Sequence, residues 1–421
     1  MKNYIAYLLL PVLLAVSCPS TPVPRQEGGV NVNLSYVPKI PDTENNYPPE
    51  PMSGKTAFDF FRDEKILVGI NIGNSLDAYI SGRASETGWG NPKINQELFN
   101  GVKKAGFDIV RIPITWMGYI GPAPDHHINE TYLARVAEVA EMAHKAGLKA
   151  IINIHHDGST VGGGKDNGWL SIIKAKASKE GYNEITHKYV RVWKQIATYF
   201  KNHGDWLIFE SLNEIHDGNW GWGSDTAQSS QYEILNEWNQ YFMNVVRATG
   251  ANNAVRYVSI PGYCTVPKHT LAPYFWLPQD SAPNKQIVTF HYYDPHEFGI
   301  AATRWEWGSD ADKNKVANDF APFKTKYIDN KIPVIIGEAG AVRQLYPDDK
   351  AKEDKARQNR LDYLSWVFGK AKENGLVPIY WDNGATSGNG EKFGLFTRSN
   401  GQPNSPESEA CIKAMIEAVR K

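Results

Sequence analysis

Cysteine is scarce in this chain, with three residues among 421: Cys18, Cys264 and Cys411. So few thiols do not make the disulfide framework of a small secreted scaffold, and no Cys-x-x-Cys or His-Glu-x-x-His spacing marks a metal centre. An excess of charge is missing too. Lys and Arg number 45 against 46 Asp and Glu, for a formal net charge of −1. That balance removes the basic surface a nucleic-acid partner would need. The Gly-x-Ser-x-Gly elbow of serine hydrolases is absent. Gly162-Gly163-Gly164 follows an apolar run but lacks the spacing of a phosphate loop or dinucleotide fingerprint, so it reads as a loop and no nucleotide cofactor is implied. No internal repeat of about 20–50 residues is visible.

What is present begins with a targeting segment. Lys2 precedes an apolar stretch from Tyr7 to Val16, which is too short to span a membrane and has the pattern of an export signal. Leu14-Ala15-Val16-Ser17-Cys18 resembles a bacterial lipoprotein signal. The resemblance implies a signal peptide over 1–17, a lipid on the Cys18 sulfur, and an exported protein held on the outer membrane, facing the periplasm or the cell surface; otherwise it is secreted. Cys264 and Cys411 are then expected to be separate buried thiols. Residues 18–53 are rich in Pro, Ser, Thr, Asn and Gly without an apolar period, as in Tyr47-Pro48-Pro49-Glu50-Pro51, and are expected to form a flexible tether.

From Phe58 onward short apolar runs alternate with longer amphipathic ones. The runs predict strands at 66–72, 108–112, 149–155, 206–212, 256–260, 286–291, 333–337 and 377–381. Helices are predicted at 94–105, 130–146, 184–202, 230–249, 267–276, 311–329, 354–374 and 406–420. Strict alternation of this kind favours a (β/α)₈ TIM barrel over an open sheet, as a single catalytic domain over 54–421. Active sites of such barrels lie at the C-terminal ends of the strands. Polar residues gather there: Asn71, Asn74 and Asp77 after the first strand, Arg111 on the second, Asn153, His155, His156 and Asp157 after the third. Asn213-Glu214 follows the fourth, His291 to Tyr293 the sixth, Glu338 the seventh, and Trp381 to Asn383 the eighth.

Two glutamates stand out, because carboxylates delivered to one rim by different strands are what glycoside hydrolysis requires. Glu214 is placed to act as general acid and then base, which needs a raised pKa. Glu338 suits a nucleophile that stays ionised among donors, with Arg111 and Tyr293 as candidates. An arginine inside an apolar strand is costly unless paired, and a purely structural Arg–carboxylate pair is the alternative. Asn213 can hydrogen-bond a sugar 2-hydroxyl. His155 and His156 are adjacent on a strand, where neighbours point to opposite faces; they read as substrate hydrogen-bonders and poor partners for one metal. His291 reads as a substrate or acid/base partner. Trp381 reads as a stacking floor beneath the sugar, and Trp89, Trp116, Trp169, Trp220 and Trp222 as candidates for a groove with several sugar subsites.

Arg111, His155, Asn213-Glu214, His291-Tyr292-Tyr293, Glu338 and Trp381 together resemble glycoside hydrolase family 5, over roughly residues 60–421. Asn71-Ile72-Gly73-Asn74-Ser75-Leu76-Asp77 and Glu86-Thr87-Gly88-Trp89-Gly90-Asn91-Pro92 are most similar to its subfamily 4, of endo-β-1,4-glucanases and xyloglucanases, differing at Ile72, Ser75 and Gly88. The resemblance implies a retaining mechanism with Glu214 as acid/base, Glu338 as nucleophile, and the remaining residues lining the innermost subsite. The expected substrate is a β-1,4-glucan, mixed-linkage glucan or xyloglucan, acted on by a monomer without a cofactor. Two rivals share these features: a mannanase or xylanase of the same fold, and a non-catalytic glycan-binding lipoprotein.

Overall fold

A computed structural model describes residues 47–158, 168–218, 230–388 and 391–421. Cys18, the signal segment, Gly162–Gly164, Trp220 and Trp222 lie outside the described residues. Eight parallel strands close a barrel: β1 Gly69–Asn71, β2 Ile109–Ile112, β3 Lys149–Ile152, β4 Leu207–Glu210, β5 Val258–Pro261, β6 Gln286–Tyr292, β7 Val334–Ala339 and β8 Leu376–Tyr380. Each strand pairs with its neighbour in sequence, and β8 closes on β1 through Gly69 opposite Ile379. All eight expected strands are present.

The expected helices are found with altered ends. Helix 267–276 shortens to Pro267–Leu271. The residue after it, Ala272, precedes Pro273 and is extended (ψ 151°), as the proline ring demands. Helix 311–329 runs Asp310–Lys326 and then tightens into the 3₁₀ turn Ile328–Asn330. Helix 184–202 begins earlier, at Lys179, because the Ser178 side chain accepts from Gly181 N and caps it. Helices Ala57–Asp63 and Ile172–Ala177 and the hairpin of Tyr79–Ile80 with Arg83–Ala84 were not expected.

Alternation along each strand divides the barrel interior into layers. Ile109, Ile151, Ile208, Ile287, Ile335, Val377 and Ile379 form one apolar cluster with Ala57, Phe60 and Phe61, so the helix Ala57–Asp63 plugs the N-terminal mouth. Two residues further along the same strands the layer turns polar, with Arg111, Asn153, Glu210 and Thr289, joined by Asn71. An apolar floor beneath a polar layer is what sets the site.

The tether expected over 18–53 does not extend to its last residues. Asn202 donates to Tyr47 O, and the Tyr47 ring lies 4.4 Å from His203. One oxygen of Glu50 accepts from Gly204 N and Trp206 Nε1, both at 2.6 Å. Ser53 N donates to Asp205. Segment 47–53 is thus fastened to the residues that lead into β4, at the face opposite the polar rim. Replacing Glu50 by Ala leaves both donors without their acceptor and should cost about 1–3 kcal/mol of unfolding free energy. Urea denaturation measures this, and an unchanged midpoint would show that the Glu50 carboxylate contributes nothing to the fold.

Candidate active site

Arg111 organises the polar layer. Its side chain has no exposed surface, so its charge persists only through partners. Nε and Nη2 donate to Glu210, the shortest contact being 2.6 Å. Nη1 donates to Asn71 Oδ1 at 3.0 Å and Glu338 Oε1 at 2.8 Å, and Nη2 also donates to Asn213 Oδ1 at 2.7 Å. Burial opposes the guanidinium charge, but Glu210 and Glu338 more than offset it and raise its pKa.

Glu338 reaches this layer through a backbone irregularity. On β7, Ile336 is opposite Phe290 of β6, yet the next pair is His291 with Glu338. Gly337 is the extra residue of a bulge, a device that re-aims the side chain after it. A Cβ on Gly337 would sit 2.8 Å from Thr289 Oγ1 and 3.1 Å from His291 Nε2. So re-aimed, Glu338 accepts from Arg111 on Oε1 and from the Tyr293 hydroxyl on Oε2 at 2.9 Å. Burial pushes its pKa up; His291 and Arg111 pull it down, Glu214 adds to the rise, and the Tyr293 hydroxyl opposes it.

Glu214 is held differently. Its Oε1 lies 2.6 Å from His291 Nδ1, so the two share one proton. Burial holds His291 at about 4, so the ring is neutral near pH 7. Burial also pushes Glu214 up to about 7, with Arg111 opposing. Its side chain keeps 24% of its surface open to the cleft, where a leaving group would arrive. An oxygen of Glu214 and an oxygen of Glu338 are within 4.8 Å of each other. Retaining hydrolases hold the two carboxyls about 5–5.5 Å apart, whereas inverting ones need about 6.5–9.5 Å to admit water.

His155 is fixed by Asn153. The Asn153 carbonyl accepts from Ile114 N, so its amide donates to His155 Nδ1 and to Glu210. The neutral His155 ring therefore carries its proton on Nε2, 3.9 Å from Glu338 Oε1. Trp381 lies parallel to this ring (7°, centroids 5.9 Å apart) at the end of β8. Gly73 makes room for the indole: a Cβ there would stand 2.7 Å from it.

Other expectations need correction. His155 and His156 do not diverge, because β3 ends at Ile152; their rings are 4.3 Å apart. Each offers an atom within 4.8 Å of Asp77. Both Asp77 oxygens accept from backbone N–H groups, of Asn74 and Ser75, and His155 Nδ1 is engaged by Asn153. Asp77 is fully buried and closes the loop in which Asn74 adopts φ 55°, so it shapes the rim from beneath and cannot touch a sugar. Trp116 is also core, fully buried with Nε1 donating to Asn153 O. Trp169 is half-buried against Asp157 and Lys188. Trp89 is 41% exposed and its ring lies 5.5 Å from His156, which continues the line of rings from Trp381 and His155 outward. Cys264 and Cys411 are free and buried, as expected.

Glu210, Asn71 and Asn153 were missed as members of the network. The signal existed for Glu210: it interrupts Leu207-Ile208-Phe209 as Arg111 interrupts Ile109-Val110, and one buried charge calls for the other.

A closed parallel barrel with two carboxylates at adjoining positions above β4 and β7 defines a retaining glycosidase of the (β/α)₈ class. The chain belongs to glycosyl hydrolase family 5: the model of that family, described as cellulase, matches residues 74–387. An endoglucanase A of Paenibacillus barcinonensis is 35% identical over 84% of this chain and 88% of its own length. A xyloglucan-specific endo-β-1,4-glucanase of Bacteroides ovatus is 34% identical over 82% of this chain and 67% of its own. Among solved structures, a broad-specificity endoglucanase of subfamily 4 from Bacteroides salanitronis is 40% identical, covers 90% of this chain and 98% of its own, and superposes with a TM-score of 0.79.

The room at Gly73 is testable. Gly73→Ala should tilt Trp381 off the sugar and raise KM for cello-oligosaccharides about tenfold, the equivalent of one lost aromatic contact. Steady-state kinetics check this; an unchanged KM would show that Gly73 is not needed to seat the indole.

Proposed function

We propose that this endo-β-1,4-glucanase works by double displacement between Glu338 and Glu214. Glu338 attacks the anomeric carbon from its Arg111 and Tyr293 donors while Glu214 gives its proton to the leaving oxygen. Glu214, now ionised, takes a proton from water, and the hydroxyl displaces Glu338 with net retention. The observation that carries this reading is the 4.8 Å limit between the two carboxylate oxygens. Arg111 acts on Glu338 and not directly on Glu214, so one carboxyl is stabilised as an anion while the other keeps its proton. Asn213, held by Arg111, is placed for the sugar 2-hydroxyl. His155 Nε2–H and the open edge of His156 serve neighbouring hydroxyls, and Trp381 and Trp89 are the stacking surfaces.

The substrate is an internal β-1,4 bond of a β-glucan. Because the Bacteroides ovatus relative is named for xyloglucan, branched xyloglucan belongs beside cellulose-type and mixed-linkage glucans. The reacting groups all come from one chain, which supports a monomer as the working unit. We take the protein to be exported and anchored through Cys18, on the strength of the signal pattern.

Reducing-end release by the full chain on carboxymethylcellulose, barley glucan, xyloglucan, glucomannan and xylan tests this reading, alongside Glu338→Ala. Release from the β-glucans should be fast and should fall by about four orders of magnitude or more in the variant. Residual turnover in a clean preparation would remove Glu338 as nucleophile, and a preference for glucomannan or xylan would replace the substrate. The pH profile gives a separate check. Glu214 must be protonated in the first step, so kcat/KM should decline as pH rises through about 7. With an aryl glycoside whose leaving group needs no proton, Glu214→Gln should lose that alkaline limb; a limb that persists belongs to another group.

A further inference from the structure

Glu210 takes no part in the reaction just proposed, yet it holds more of Arg111 than the nucleophile does. It accepts from Nε at 2.9 and 3.2 Å and from Nη2 at 2.6 Å, and Asn153 adds a donor at 3.0 Å. Glu338 receives one guanidinium N–H. Neither Arg111 nor Glu210 has exposed side-chain surface, so their charges act at low dielectric and beyond the reach of salt.

A carboxylate beside an uncompensated guanidinium is strongly stabilised as an anion, by about 1–3 pKa units, and such an anion is a poor nucleophile. We propose that Glu210 is a positioning residue that neutralises Arg111, so that the guanidinium orients Glu338 without over-stabilising it. The proposal rests on the double displacement above. The opposition is visible at His291, where burial and Arg111 press the pKa down while Glu338 and Glu210 press it up. Other groups around Glu338 come from every side: Asp77 beyond β1, His155 and His156 beyond β3, Glu214 beyond β4, His291 and Tyr293 at β6, and Glu391 beyond β8 near Glu214. Glu210→Gln leaves all of these in place and removes one negative charge with little change of shape.

The sign follows. Without Glu210's charge, the field of Arg111 lowers the pKa of Glu338, which sets the acid limb, and of Glu214, which sets the alkaline limb. The whole kcat/KM bell of Glu210→Gln on a cello-oligosaccharide should move to lower pH by about one unit, and its maximum should drop about tenfold. Glu210→Asp, which keeps the charge, should hold the bell at its wild-type position. A bell that is lowered but unmoved in Glu210→Gln, in a protein whose melting curve shows it folded, would make Glu210 a mere structural tie and overturn the proposal. If Glu210→Gln does not fold, Glu210→Asp decides: with the charge kept its bell should hold the wild-type position, and a bell that moves refutes the idea. Turnover by Glu338→Ala would instead bring down the underlying mechanism, so the two failures are distinguishable.

Discussion

A guanidinium sealed inside the barrel is the constraint on which the site depends. Arg111 cannot shed its proton, and its side chain has no surface open to solvent. Its five N–H groups must therefore find acceptors among the inward-facing residues of the other strands and the rim. They do so on β1, β4, β7 and the residues just past β4, through Asn71, Glu210, Glu338 and Asn213. Removing any one acceptor would strand a buried donor, so the positions of Glu338 and of the Asn213 amide beside Glu214 are fixed by the same side chain. The apolar layer beneath, plugged by Phe60 and Phe61, keeps water from competing from below.

Much of this was legible in the sequence, and the reasons are physical. Eight apolar runs alternating with amphipathic ones leave few architectures, and strand polarity then places the polar residues on one rim. Arg111, Glu214 and Glu338 stood out because ionisable groups inside or beside apolar runs demand an explanation. Glu210 met the same criterion and was overlooked because it precedes a more conspicuous Asn213-Glu214. What could not be read was backbone geometry. The early end of β3 turns His155 and His156 toward each other, where strand alternation would part them. Asp77 looks like a rim acid in sequence, but two backbone N–H groups claim its oxygens. Tyr47 and Glu50 sit in a Pro-rich stretch whose composition suggests a tether, and only their tertiary partners near β4 show otherwise.

In the proposed mechanism two identical carboxyl groups play opposite roles within a few ångströms, and identity of side chain cannot separate them. The backbone does. A bulge at Gly337 delivers Glu338 into the guanidinium layer, where two donors meet its two oxygens. Glu214 lies past the end of β4, above that layer, where its close partner is an imidazole that burial keeps neutral. A neutral partner can share the proton of a carboxylic acid without forcing it to ionise, and a guanidinium cannot. The proposed division of labour between acid and nucleophile is therefore decided by depth: one carboxyl sits level with the buried charge, and the other a few residues above it. Any change that lifted Glu338 out of that layer, or let Glu214 sink into it, would erase the difference between them while leaving both glutamates in the sequence.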